Sequence, residues 1–212
     1  MSESNNKLTL IVLGRSGSGK GTQARFIVKR LERAGGIHVS TGELLRSFMH
    51  RTGPAAEIAR RVMRQGGLHP SWLAAYLWLG VIIDEGGGTR HLVFDGACRR
   101  LFEAKLLDEV MRWHGRPLPF CIYIDISRRE AMRRLLSRGR SDDTIAAIGR
   151  RLDYFSKEVV PVLRYYQKSG RMISVDGEQP PERVMCHVRV VIGTGRDLVT
   201  LELHLPPEAS FP

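Results

Sequence analysis

Apolar residues fill positions 8–13 without interruption (LTLIVL), with polar residues before them and Gly14 after. A short continuous run of this kind predicts a strand buried on both faces of a parallel sheet. The spacing then changes. Ala24, Ile27, Val28 and Leu31 recur at helical intervals, and Gly35-Gly36 closes a helix expected over 20–33. Residues 37–39 predict a second strand, and a helix begins near Gly42. Two more helices are expected over 54–65 and 69–84, parted by Gly66-Gly67, with Pro54 and Pro70 at first-turn positions. Strand 91–94 leads to helix 101–113, and strand 120–124 to helix 129–138. Residues 142–168 are helical by pattern, with a bend or break near Pro161. Strand 172–175 and a helix over 181–192 complete the alternation.

Strands alternating with helices need crossover connections, which give a parallel sheet covered on both faces. The expected fold class is α/β: three layers, α/β/α, around a five-stranded parallel sheet, with a small helical insertion over 40–84. A core domain over 1–192 is expected, followed by a tail over 193–212. In that tail Val199, Leu201, Leu203 and Leu205 alternate with Thr200, Glu202 and His204. The alternation reads as an added half-exposed strand, either at a sheet edge or pairing with a second subunit.

A length of 212 residues fits one such domain, and the 42% hydrophobic and 26% charged fractions allow a sizeable core. No apolar run approaches the roughly 20 residues that cross a bilayer, so no membrane partner is expected. Residues 1–7 hold no apolar signal core, and Cys98, Cys121 and Cys186 form no CxxC pair. These features argue against export, a disulfide framework and structural zinc, so a cytoplasmic location is expected.

Charge adds a choice. Lys and Arg number 33 against 22 Asp and Glu, a net +11 with a pI near 10.2. Either a nucleic acid or a small phosphate ligand answers such a balance. Arginine is scattered, no basic tail gathers it, and no RNA-module aromatic signature accompanies it, which favours small phosphates.

Gly14-Arg15-Ser16-Gly17-Ser18-Gly19-Lys20 follows the first buried strand and opens the first helix. That is the context a P-loop requires, and it makes the expected fold P-loop NTPase-type. Its glycines let successive backbone N–H groups point at one anion, the helix start adds partial positive charge, and the Lys20 ammonium reaches terminal phosphates. The position after Lys20 is Gly21, and the hydroxyl comes one later, at Thr22. A magnesium ion would then rest mainly on phosphate oxygens and water-mediated carboxylates.

Further segments extend the pattern. Gly19-Lys20-Gly21-Thr22-Gln23-Ala24, Ser40-Thr41-Gly42-Glu43-Leu44-Leu45-Arg46, Asp95-Gly96-Ala97-Cys98-Arg99-Arg100, Arg134-Leu135-Leu136-Ser137-Arg138-Gly139 and Gly139-Arg140-Ser141-Asp142-Asp143 follow in order. With Arg151-Leu152 and Val175-Asp176-Gly177, this ordered set resembles the adenylate kinase, or nucleoside monophosphate kinase, family over residues 8–192.

The resemblance implies an ATP-dependent phosphotransferase acting on a nucleoside monophosphate, AMP first and GMP or CMP next, as a monomer or homodimer. It implies a catalytic set of Lys20, Arg99, Arg138, Arg140 and Arg151. ATP would be held by Gly17, Ser18, Gly19, Lys20, Gly21, Thr22, Arg134, Arg138 and Gln179. The acceptor would be held by Thr41, Gly42, Arg46, Gly67, Leu68, His69, Gly96, Arg99, Glu103, Arg140 and Arg151. Asp95 and Glu43 are the carboxylates for the hydration shell of Mg²⁺, and Asp142 and Asp143 could brace the arginines. Cations suit this chemistry because transfer between two phosphate chains gathers negative charge in one cleft.

Four departures stand out. Ser16 replaces a proline in the loop, and Ala97-Cys98 replace Phe-Pro beside Arg99. Glu103 replaces a glutamine that reads adenine, and an ionised Glu can only accept hydrogen bonds. Nothing is inserted between Gly139 and Arg140, so the lid is minimal, over about 138–142. Two rival classes are a nucleotide-dependent nucleic-acid-binding or regulatory protein, and a small-metabolite P-loop kinase. The acceptor segment argues against the first. The missing Ser or Thr directly after Lys20 argues against the second.

Overall fold

A computed structural model describes residues 7–31, 35–85, 90–140, 143–184, 188–192 and 199–203. The strands are β1 (Thr9–Gly14), β2 (Gly36–Ser40), β3 (His91–Asp95), β4 (Phe120–Asp125), β5 (Met172–Asp176), β6 (Val188–Ile192) and β7 (Val199–Leu203). The helices are α1 (Lys20–Leu31), α2 (Thr41–Met49), α3 (Pro54–Arg64), α4 (Ser71–Asp84), α5 (Leu101–Trp113), α6 (Arg128–Arg138), α7 (Ile145–Tyr154), α8 (Val160–Lys168) and α9 (Pro181–Val184).

Five parallel strands form the main sheet in the order β2-β3-β1-β4-β5. Side chains alternate across a strand, and β1 shows why its run is wholly apolar. Leu10 and Val12 enter a cluster with Ala24 and Ile27 of α1 and Val184 of α9. Ile11 and Leu13 enter the opposite one with Trp78 of α4, Leu107 of α5 and Tyr166 of α8. Both faces are therefore covered, as a parallel sheet requires. The helical insertion packs on α4 through Leu45 of α2, Ala59 of α3 and Leu73 and Leu77 of α4.

One expected element is overturned. Of the helix anticipated over 181–192 only Pro181–Val184 is helical among the described residues, and Val188–Ile192 form β6, antiparallel to β7. Val188, Val190, Val191 and Ile192 are β-branched, stiff at χ1 and suited to a pleated surface, and this preference decides against the helix. The tail strand pairs with β6 in a separate two-stranded sheet, not at an edge of the main one. His204, Leu205, Cys186 and Asp142 lie outside the described residues. The break before Pro161 is a π turn over Phe155–Val159 between α7 and α8. Proline lacks an N–H and crowds the carbonyl four residues earlier, and the widened turn relieves both. Pro54 opens α3 as expected, whereas Pro70 sits one residue early, capping α4 in extended conformation.

Candidate active site

Strand β1 lies between β3 and β4, so the crevice at its C-terminal end is a switch point of the sheet, where α/β folds bind ligands. The P-loop leaves β1 there. Gly17 and Gly19 take φ of 86° and 87°, a left-handed region that a side chain would strain. The Lys20 ammonium folds back to donate to the Arg15 carbonyl at 2.9 Å.

A cleft of about 450 Å³ opens above the loop. Gly17, Gly19, Lys20, Gly21 and Thr22 form its floor, and Gly42, Glu43, Arg46, Gly67 and His69 one wall. Asp95 ends β3 and Arg99 follows it, while Arg134, Arg138, Arg140 and Arg151 close the other side. With Arg25, which lies 4.0 Å from Glu43, one ammonium and seven guanidiniums thus share a single lining. Arg134 is held by Glu130 one turn back, at 2.6 Å. Arg138 donates twice to Asp143, at 2.9 and 2.8 Å, and Arg151 donates to the same carboxylate at 2.6 Å. Asp143 therefore braces two arginines at once. Burial pushes its carboxyl up, but the hydrogen bonds and charges of Arg138 and Arg151 outweigh this and hold it below the usual range. Arg99 donates to the Gly96 carbonyl at 2.8 Å and to the Tyr154 hydroxyl at 3.1 Å. Burial, helped by the charges of Arg99 and Arg138 and opposed by Asp95, lowers the Lys20 ammonium to about 8.

Other expected site residues stand apart from this lining. Ser18 and Thr41 are buried, and neither hydroxyl has a hydrogen-bond partner. Leu68 is half-buried, and Gly96 lies beneath the Arg99 guanidinium. Gln179 is exposed and donates to Asp176 at 2.9 Å, away from the cleft. Glu103 is 2% exposed, and its carboxylate accepts the Arg99 backbone N–H at 3.1 Å. Burial pushes Glu103 up, against hydrogen bonds from Ser71 and Arg99.

The donor set suits a magnesium ion carried by phosphates. Asp95 and Glu43 are the carboxylates that line the cleft, and Mg²⁺ usually takes one or two carboxylates plus phosphate and water. A Cβ at Gly21 would come within 3.0 Å of Asp95 Oδ2, so the glycine keeps the space over that carboxylate open.

Several residues in or around the cleft carried no clear sequence signal. Tyr154 lines it and meets Arg99; its position three residues after Arg151, on the same helix, was the available hint. Arg15 gave none. Its guanidinium turns to the Ile126 carbonyl at 2.7 Å and Asp125 at 3.2 Å, and lies 4.5 Å from the centre of the Phe155 ring. These partners are more than a hundred residues away in sequence.

A family model described as adenylate kinase matches residues 12–171. The chain belongs to the adenylate kinase family. It is 34% identical to an adenylate kinase of Thermus thermophilus over 188 residues, 87% of this chain and 96% of that one. It is 30% identical to adenylate kinase 1 of a Nostoc species, covering 87% and 98%. It is also 36% identical to UMP-CMP kinase 1 of Oryza sativa, covering 87% and 74%. As an adenylate kinase family member, the chain is a phosphotransferase of the nucleoside monophosphate kinase type, and its all-parallel sheet is that expected of a P-loop NTPase.

One departure from the family pattern acquires a physical meaning here. Cys98 adopts φ 55°, which a proline ring cannot reach. With Ala97 and Cys98 fully buried, the segment before Arg99 follows a path that the replaced Phe-Pro pair would forbid. Burial raises the Cys98 thiol well above its ordinary value, which suits a packing role and not a nucleophile.

Proposed function

We infer that this protein transfers the γ-phosphoryl group of ATP to a nucleoside monophosphate, AMP first among acceptors, giving two ADP. The observation that carries the reading is the shared lining of Lys20, Arg46, Arg99, Arg134, Arg138, Arg140 and Arg151 around one cleft. Two facing phosphate chains would concentrate negative charge there, and catalysis of their exchange is mainly positioning and charge stabilisation.

In this reading the P-loop amides and Lys20 hold the donor phosphates, and Arg134 lies toward the donor base. Arg46 and Arg99 hold the acceptor phosphate. Arg138, Arg140 and Arg151 face the group in flight, with Asp143 keeping two of them oriented. Asp95, and Glu43 more remotely, would hold the magnesium ion through water; it would neutralise phosphate charge. No general base is needed, because the attacking phosphate oxygen is already ionised. The partnerless buried hydroxyl of Thr41 supports an acceptor base beside α2, since buried polar groups normally have partners.

The test is coupled ADP production from ATP and Mg²⁺ with AMP, GMP, CMP and UMP in turn. Stimulation by a monophosphate is expected, strongest with AMP. ATP turnover indifferent to all four would end the kinase reading. Glu103→Gln probes the base: a shift toward AMP is expected, and an unchanged preference removes Glu103 from base reading. Binding of DNA or RNA with a steep salt dependence would instead favour the nucleic-acid reading.

A further inference from the structure

Helix α4 is apolar all the way round. From Ser71 to Ile83 it holds no charged residue. A helix with no polar face is normally buried on every side, yet the described residues cover this one on two only. Ala75, Trp78 and Ile82 face the core, and Leu73 and Leu77 face α2 and α3. The third face is open: Trp72 is 62%, Tyr76 59% and Ile83 71% exposed. Phe102 of α5, 60% exposed, is the chain neighbour of Glu103, which Ser71 at the start of α4 hydrogen-bonds.

Gly80 lies on the same stripe, eight residues from Trp72 and four from Tyr76. It sits in a helix interior, where glycine costs roughly 1 kcal/mol relative to alanine. Nothing within this chain requires it, since a Cβ there would meet no atom within 4 Å. Among the described residues, no side chain of this chain uses the space that the missing one leaves.

We propose that the open face of α4 is an isologous dimer interface, occupied by the same face of a second copy of this chain. In an antiparallel crossing about a two-fold axis, Tyr76 of one copy would meet Gly80 of the other, and Trp72 would meet Ile83. Ridges four residues apart then enter grooves four residues apart, the commonest helix packing class. Two-fold symmetry satisfies each contact twice. Trp72, Tyr76, Ile83 and Phe102 together expose roughly 500 Å² per copy, so their complete burial would remove about 1,000 Å² from water, the threshold for a specific interface and the scale of a weak dimer. The stripe carries no charge, whereas each chain carries +11. Long-range repulsion therefore opposes pairing, and salt should strengthen it by screening. A nucleic-acid or anionic-lipid partner would respond in the opposite sense.

The measurement is light scattering on the full-length protein from micromolar to near-millimolar concentration, at low and high salt. Passage from a 23.9 kDa species to twice that mass is expected, favoured by salt. Gly80→Gln fills the groove at a position open to solvent, so it should leave thermal stability equal or higher while weakening association at least about tenfold. Tyr76→Lys should weaken it similarly. A 23.9 kDa species under every condition overturns the proposal, whether residues 204–212 cover the face or it binds anionic vesicles. A dimer indifferent to both substitutions overturns it too, because the contact then lies elsewhere.

Discussion

Replacing Lys20 with methionine should make the protein more stable while abolishing its phosphotransfer. The ammonium sits among Arg99 and Arg138, and burial outweighs Asp95 to bring it from 10.5 to about 8. Taken alone, that depression corresponds to roughly 3 kcal/mol of destabilisation while the lysine is charged. Lys20 is only half-buried and the cleft admits water, so about 2 kcal/mol is the better figure after screening. Methionine keeps the stem and removes the charge, but it also removes the hydrogen bond to the Arg15 carbonyl, worth about 1 kcal/mol. A net gain near 1 kcal/mol at pH 7 is expected. The sign with pH follows from the lower folded value. Below about 8 both folded and unfolded lysine are charged and the cost is present in full; between about 8 and 10.5 it is progressively relieved. The advantage of Lys20→Met should therefore shrink as pH rises through that window. Urea unfolding of both proteins at pH 7 and pH 9.5, beside the ADP assay, reads this directly. A variant less stable than the parent at pH 7, or a difference that does not move with pH, would refute the reasoning.

Asp143→Asn should lower kcat at least tenfold with a smaller change in KM, because the amide has no charge to hold Arg138 and Arg151 and would set an NH2 donor against the Arg138 Nε donor; steady-state kinetics separate the two constants. The same change should cost about 2–3 kcal/mol in urea unfolding at pH 7. The carboxyl is held low, so this contribution is present above its unfolded value of 3.8, and the gap to wild type should close as pH falls through the lower folded value. Gly66→Ala should cost about 2–3 kcal/mol, since Gly66 has φ 68° and a Cβ would overlap the Ala147 backbone; a midpoint unchanged in urea would contradict the packing described. Arg15→Ala should weaken ATP binding by calorimetry about tenfold with AMP affinity unaltered, because the loop loses its ties to Asp125, Ile126 and Phe155.

Much of the molecule follows from local order along the chain. The run at 8–13 required a strand with both faces covered, and Gly17, Gly19 and Lys20 required an anion-binding turn, because these depend on neighbours a few residues away. The tail shows where periodicity misled: apolar spacing over 181–192 fits a helix, but the β-branched run at Val188–Ile192 prefers a strand. Partnership between distant segments was not legible. Asp143 joining Arg138 to Arg151, Arg15 turning from the cleft toward Phe155, and Glu103 sinking beneath Arg99 all depend on elements far apart in sequence. Periodicity states which side of its own element a residue occupies. Only the packed fold decides what stands opposite, and on α4 no described residue covers one apolar side.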